Sequence, residues 1–263
     1  LADCQDVCKH LDLTLETINF QDEYYERVFQ TCLDLFAKGM TPNPDILCNN
    51  LIKFDLLSQH AKQRGFDKLA TGHYAFIEER DGLYALMQAP DATKDQTYFL
   101  SQLTQAQLSY AHFPLGQYTK EQVRAMATQA KLPNANKKDS VGICFIGERR
   151  FDTFLKEYLL TRPGPIIDKH GIVLGQHQGL FCHTIGQRKG LGIGGIANSQ
   201  PTPWYVIEKK VKDNCLVVSQ NPADLLKKSA SIAPIQWIRE EAPSNTMLQA
   251  KIRHGPDMID CFL

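Results

Sequence analysis

The chain has 263 residues, 43% hydrophobic and 22% charged, which makes it globular and long enough for two or three domains. Its 29 basic and 29 acidic residues cancel, so no global field draws it to nucleic acid, and any RNA contact has to come from local patches. No apolar run approaches membrane-spanning length. The eight cysteines have no regular spacing, which fits a reducing, cytoplasmic compartment with functional rather than stapling thiols.

Residues 2–11 read as a helix, with Ala2, Val7, Cys8 and Leu11 roughly on one face. Leu13, Leu15, Ile18 and Phe20 alternate partly, which predicts a short strand. Residues 22–36 predict an amphipathic helix. Tyr24, Val28, Cys32 and Phe36 follow one i,i+4 row, and Tyr25, Phe29 and Leu33 make the next. Gly39 ends it.

Residues 41–54 then change character. Pro42 and Pro44 force Thr41 and Asn43 out of the helical region, so the chain arrives extended and stiff. Asn43 reads as an N-cap, Pro44 as the first helical position and Asp45 as a first-turn acid. Asp45 and Cys48 are three residues apart and share one face. A thiol near a helix N-terminus favours the thiolate, and a carboxylate beside it could shuttle a proton. Ordinary packing of Cys48 is the competing reading.

Residues 51–64 predict a further helix closed by Gly65. Residues 68–71 predict a short strand that delivers Gly72 and His73 at its carboxyl end, where open α/β sheets bind ligands. On sequence alone His73 fits a structural role better. Asp81-Gly82 reads as a hairpin turn. Lys94-Asp95-Gln96, ahead of Tyr98 and Phe99, reads as a solvated loop. A helix begins at Thr104, and Thr119 with Gln122 forms a capping box for another. A second unusual cysteine, Cys144, lies between Gly142 and Gly147, flanked by Lys137, Lys138, Arg149 and Arg150. Flanking positive charge favours a thiolate and attracts phosphate.

Residues 151–160 predict a helix, and Arg162-Pro163-Gly164-Pro165 breaks the pattern. Short strands and turns follow: 166–167, a turn at 169–171, 173–174 and 180–185. The clearest hairpin pairs 204–211 with 215–219. Residues 249–254 and 259–263 read as barrel strands. Gly190-x-Gly192-x-x-Gly195 matches a dinucleotide fingerprint literally, but no strand leads in and no helix follows. Cys182, His183, His177 and His170 fit no trustworthy zinc spacing.

Several long motifs occur in a fixed order. They are Asn43-Pro44-Asp45-x-x-Cys48-Asn49 with Ile52-Lys53-Phe54, Ala70-Thr71-Gly72-His73-Tyr74 and Lys94-Asp95-Gln96-x-Tyr98-Phe99-Leu100. Gly142-Ile143-Cys144-Phe145-Ile146-Gly147 and the run from Gly186-Gln187-Arg188-Lys189 to Gly195 complete the set. Over its whole length the chain resembles the bacterial tRNA-specific 2-thiouridylases. The resemblance implies an α/β fold, an adenine-nucleotide α-hydrolase-like (ATP-pyrophosphatase) doubly wound parallel sheet. A small, mostly β central domain and a truncated β-barrel would follow. The expected domains are 1–148 for nucleotide binding and thiolation, 149–225 for tRNA contact and 226–263 for the start of the barrel. The family's pyrophosphatase loop, Ser-Gly-Gly-x-Asp-Ser, has no counterpart here. The expectation is therefore an incomplete chain, inactive as given, whose catalytic residues belong to the intact enzyme.

The resemblance also implies roles. ATP, with Mg2+, would lie near Gly72 and adenylate O2 of the wobble uridine of lysine, glutamate and glutamine tRNAs. Cys144 would carry a persulfide from a sulfur-carrier protein or cysteine desulfurase relay. Cys48 would be the nucleophile that closes a disulfide with Cys144, and Asp45 the proton shuttle. Asn43, Pro44 and Asp45 would line the base pocket. His73, Lys94, Asp95, Gln96, Arg188, Lys189, Arg253 and His254 would meet the tRNA. An iron–sulfur cluster on Asp45, Cys48 and Cys144 stays open. So do an amidating ligase on the same fold and a non-catalytic RNA-binding remnant.

Overall fold

Helices open where the sequence supplies caps. Thr104 Oγ1 accepts from Gln107 N at 3.3 Å while Gln107 Oε1 accepts from Thr104 N at 2.9 Å, opening the helix Gln105–Tyr110. The same reciprocal pair between Thr119 and Gln122 opens Lys120–Gln129, satisfying donors that the first turn leaves unpaired. The structure, a computed structural model, describes residues 1–138, 151–194, 202–233, 235–255 and 257–263. It divides into two compact units, each assembled from separate stretches of chain.

The first unit takes Leu1–Val28, Pro44–Gly147 and Pro234–Leu263. Strand β1 (Leu69–Ala70) pairs in parallel with β4 (Ala111–His112). Strands β2 (Ala75–Arg80) and β3 (Leu83–Gln88) form an antiparallel hairpin. Asp81 and Gly82 turn it with φ of 54° and 75°, the two left-handed residues that a tight hairpin requires. The core joins Phe54, Ala75, Leu100, Leu103, Leu108, Ala111 and Phe113. Residues 13–20 form no strand. Leu13, Leu15 and Ile18 are exposed there, so their alternation meets no sheet. The barrel-like end of the chain is an antiparallel pair, β9 (Leu248–Ala250) with β10 (Ile259–Cys261) in this order along the chain.

The second unit takes Phe29–Asn43 and Glu148–Ala233. Its four-stranded sheet runs β6 (Val173–His177), β5 (Gly164–Asp168), β8 (Cys215–Ser219), β7 (Tyr205–Lys210). The β5–β8 pairing is parallel and the other two are antiparallel. Strand β8 has neighbours on both sides and all five of its residues are buried, as a central strand's near-continuous apolar run requires. Ile166, Val206, Leu216 and Val218 form the core with Leu180, Leu191 and Ile193. Residues 180–182 make a 3-10 turn rather than the expected strand. The helix predicted for 151–160 ends at Leu155 and continues as turns. Phe29, Phe154 and Tyr158 meet ring to ring at 4.9–5.3 Å.

Candidate functional site

The prolines act as expected: residues 41–43 are non-helical and the helix starts at Pro44. It runs unbroken to Gln63, but Asn49–Leu57 has π geometry between α segments Pro44–Cys48 and Ser58–Gln63. The Asn49-to-Phe54 part of the motif therefore sits on a widened helix, an arrangement found mostly at functional sites. Nothing in the apolar periodicity announces it. Asp45 lies in the first turn, half-buried. Cys48 closes the α segment and is fully buried, as the packing reading expects. Cys144 and its flanking glycines lie outside the described residues.

Cys48 is followed by two asparagines that tie this helix to the rest of the unit. Asn49 is buried and donates from Nδ2 to Phe99 O at 3.0 Å, while its Oδ1 is buried without a hydrogen-bond partner. Gln107 Nε2 donates to both the backbone oxygen and Oδ1 of Asn50, at 2.9 and 3.0 Å. The capping glutamine of one helix thus also fixes another.

Gly72 is exposed just beyond the carboxyl end of β1, beside the parallel partner β4. A Cβ there would meet only Leu115 at an ordinary 3.7 Å, so the position is open to a ligand but does not need glycine for its own packing. His73 is 8% exposed, with its ring 5.8 Å from both Phe54 and Phe113 and Nδ1 2.8 Å from Thr71 Oγ1. Burial, with Lys53 adding to it, lowers its pKa to about 4. It packs as a buried, neutral residue, the structural role its sequence position favoured.

The Lys94–Gln96 segment is likewise more internal than its charge suggested. Asp95 is 4% exposed. Its carboxylate accepts from Thr97 Oγ1 at 2.9 and 3.0 Å, from Ala89 N at 3.3 Å and from Lys251 Nζ at 3.3 Å. Gln96 exchanges two hydrogen bonds of 2.9 Å with the backbone of Tyr74. Both act as braces because a buried carboxylate or amide is costly unless its lone pairs are used. Lys94 is half-buried. The brace draws in residues 251–254: the His254 ring lies tilted against Phe99 at 4.7 Å and edge-on to Tyr98 at 5.9 Å, with Nε2 3.4 Å from Asp95 O. Sequence reasoning assigned Arg253 and His254 to tRNA and did not single out Lys251. Arg253 is exposed.

In the second unit Arg188 and Lys189 are exposed on a loop built inward from Leu191 and Ile193, which are buried. Gln187 shapes it, accepting from Thr184 N at 2.9 Å and donating to Lys189 O at 2.8 Å. Gly186, Gly190 and Gly192 have φ of 85°, 78° and 69°, so these glycines serve turns. A 3-10 turn, not a strand, precedes the run. His177 and His183 pack ring to ring at 5.9 Å. Burial lowers both, His183 to about 4, with His177 and then Lys209 contributing. Among the described residues no group of three His, Cys, Asp or Glu is placed to hold a metal ion. No helix among them is long and apolar enough to cross a membrane.

Residues 1–148 match the family described as tRNA methyl transferase HUP domain, and residues 152–220 the tRNA methyl transferase PRC-barrel domain. Among curated relatives, the tRNA-specific 2-thiouridylase MnmA of Dichelobacter nodosus is 49% identical over 256 residues, covering 97% of this chain and 68% of the relative. The protein of the same name from Coxiella burnetii strain RSA 493 is 46% identical, over 93% of this chain and 68% of its own length. That of Methylobacillus flagellatus is 48% identical, over 99% and 73%. The chain spans about two thirds of the length of such relatives.

Proposed function

The chain belongs to the tRNA-specific 2-thiouridylase family, and on that premise we propose that it acts in the ATP-dependent 2-thiolation of uridine in tRNA. The observation that carries this reading is 49% identity to a 2-thiouridylase over 97% of the chain. The domain description speaks of methyl transfer, whereas the relatives' names speak of thiolation. A stiff Asn43-Pro44-Asp45 arm leading to a buried thiol one turn into a helix is compatible with the sulfur chemistry, and the relatives' names decide between the two.

The finer reading follows from the residues. The target is the wobble uridine of lysine, glutamate and glutamine tRNAs, extruded from its stack as base-modifying enzymes generally require. ATP, with Mg2+, adenylates O2; Gly72, open at the carboxyl end of β1, fits a residue passed closely by the nucleotide. The terminal sulfur of a Cys144 persulfide attacks C2, forming the C–S bond as the C2–O bond breaks and AMP leaves. Cys48 thiolate then attacks Cys144 Sγ and expels the thiolated base as a thiolate. The resulting Cys48–Cys144 disulfide takes two electrons from a thiol reductant. Asp45 shuttles the proton, and Asn43 and Pro44 border the base. A sulfur-carrier protein or desulfurase relay reloads Cys144, and the protein works in the cytoplasm. Lys94, Arg188, Lys189, Arg253 and His254 supply local positive charge for RNA phosphates.

The test uses the full-length enzyme with ATP, unmodified tRNA and a persulfide donor, then digests the tRNA and identifies its nucleosides by mass spectrometry. The expected product has sulfur in place of O2 of the wobble uridine, with one AMP released per event. A methylated nucleoside would overturn the reading. Cys48→Ser and Cys144→Ser should each stop multiple turnover, and only the second should prevent sulfur loading. Labelled sulfur found on Cys48 would reverse the two roles, and a cross-link between other cysteines would move the site.

A further inference from the structure

The arm that leads to Asn43 is held by a lysine 168 residues along the chain from Thr41. Strand β7 ends at Lys210, and its Lys209 reaches residues 39–41 within the second unit. Lys209 Nζ donates to Gly39 O at 3.1 Å and to Thr41 Oγ1 at 3.3 Å. Thr41 Oγ1 also lies 3.5 Å from Thr184 Oγ1. The fit is close. Gly39 has φ of 77°, and a Cβ there would come within 2.4 Å of Val211 Cγ2. A register shift in β7 between Val206 and Glu208 precedes the lysine, and such bulges commonly re-aim a side chain.

An ammonium between a carbonyl and a hydroxyl makes charge-assisted bonds, stronger and more directional than neutral ones. Beyond Thr41 the chain has little freedom, because Pro42 and Pro44 each fix φ and restrict the residue before them. An anchor at Thr41 therefore sets the path of Asn43, the last residue of this unit, and Asp45 follows two residues later. We propose that Lys209 is a positioning residue for the thiolation chemistry: it fixes the arm, residues 39–43, that presents Asn43. This rests on the functional reading above. Lys209 touches no reacting atom. It acts by limiting the conformations open to the arm, which matters because a misplacement of about 1 Å can cost on the order of 100-fold in rate.

The test compares the unaltered full-length enzyme with its Lys209→Met, Lys209→Arg and Thr41→Val variants. Single-turnover thiolation and tRNA affinity are read together with hydrogen exchange of the backbone amides of residues 39–43. Lys209→Met should lower kcat by about 10- to 100-fold with KM for tRNA within about threefold, since the lost interaction orients rather than binds. Exchange should quicken at residues 39–43 while β8 stays protected. Lys209→Arg should recover part of the rate, and Thr41→Val, which keeps the lysine, should show a smaller loss in the same sense. Thr41→Val carries the test if Lys209→Met does not fold.

Weaker tRNA binding at unchanged kcat would overturn the proposal, making Lys209 a phosphate contact. Unchanged exchange at residues 39–43 would overturn it too. If the unaltered protein makes no thiolated base, the functional reading fails, and the exchange measurement still decides whether the lysine holds the arm.

Discussion

The two units hold their functional residues by different means. In the first, the helix from Pro44, the Lys94–Phe99 segment and the Lys251–His254 end are joined by side chains that seize backbone elsewhere, Asn49 on Phe99, Gln107 on Asn50, Gln96 on Tyr74 and Asp95 on Ala89, and by the ion pair of Asp95 with the Lys251 ammonium. In the second, strand pairing around β8 carries the structure, and Arg188 and Lys189 stand clear of it on a loop. Ladder hydrogen bonds survive most side-chain changes, whereas a polar brace fails when one member is lost, leaving buried partners unsatisfied. Placement in the first unit should therefore be vulnerable to single substitutions that the second unit's sheet would absorb, the arm held by Lys209 being that unit's own brace.

That contrast can be broken most forcefully at the cores. Phe54→Ala, removing a ring 2% exposed, should cost about 3–5 kcal/mol and Leu216→Ala about 2–5 kcal/mol. Denaturant unfolding followed by probes in each unit should show each loss confined to its own unit. A shared loss would mean the units do not melt separately. Next, Asp95→Ala should cost about 3 kcal/mol, since it strands the Lys251 ammonium, whose side chain is only 15% exposed, and several donors. It should also loosen the chain's end, read as faster exchange near Lys251. A loss under about 0.5 kcal/mol would show the brace to be ornamental.

Acid tests both units at once. His73 and His183 each have a pKa lowered from 6.5 to about 4, first of all by burial. The unfolded chain thus takes up protons that the folded chain refuses between those values. Stability is intact above about pH 6.5 and falls as pH drops towards 4, by about 2–3 kcal/mol for each histidine. His73→Gln should flatten the pH dependence of the first unit and leave that of the second. The smallest effects on stability belong to the loop. Arg188→Ala and Lys189→Ala should shift it by less than about 0.5 kcal/mol, while each lowers the salt slope of tRNA binding by about 1. An unchanged slope would remove that residue from the RNA surface.

Much of this was legible because it is local. The turn at Asp81-Gly82, the capping glutamine at Gln122 and the start of a helix at Pro44 depend on a few neighbours, and the sequence displays them. The row Tyr24, Val28, Cys32 and Phe36 is buried throughout. What escaped depends on partners far along the chain. Asp95 and Lys251 look like two solvated charges until tertiary structure brings them together. The structural role of His73 was legible, but its enclosure by Phe54 and Phe113 was not. The alternation of residues 13–20 needed a neighbouring strand, and the described residues supply none. The π turns after Cys48 change hydrogen-bond register without changing composition. Lys209 is written in the sequence only as one of a pair of adjacent lysines.

The parallel pairing of β5 with β8 also sets an order of events in folding. Antiparallel neighbours can zip from a turn, as β7 and β8 can through the Lys212-Asp213-Asn214 corner. Ile166 meets Leu216 only after the whole intervening chain has been looped back, and such non-local closures are the slow ones. The loop bearing Arg188 and Lys189 lies inside that closed segment, so its two cations reach their final setting only when the slow step is complete. A nascent or kinetically trapped chain would display the same charges without the same geometry. Salt-sensitive tRNA capture during refolding would then follow the closing of one pair of strands rather than the earlier appearance of hairpins and helices.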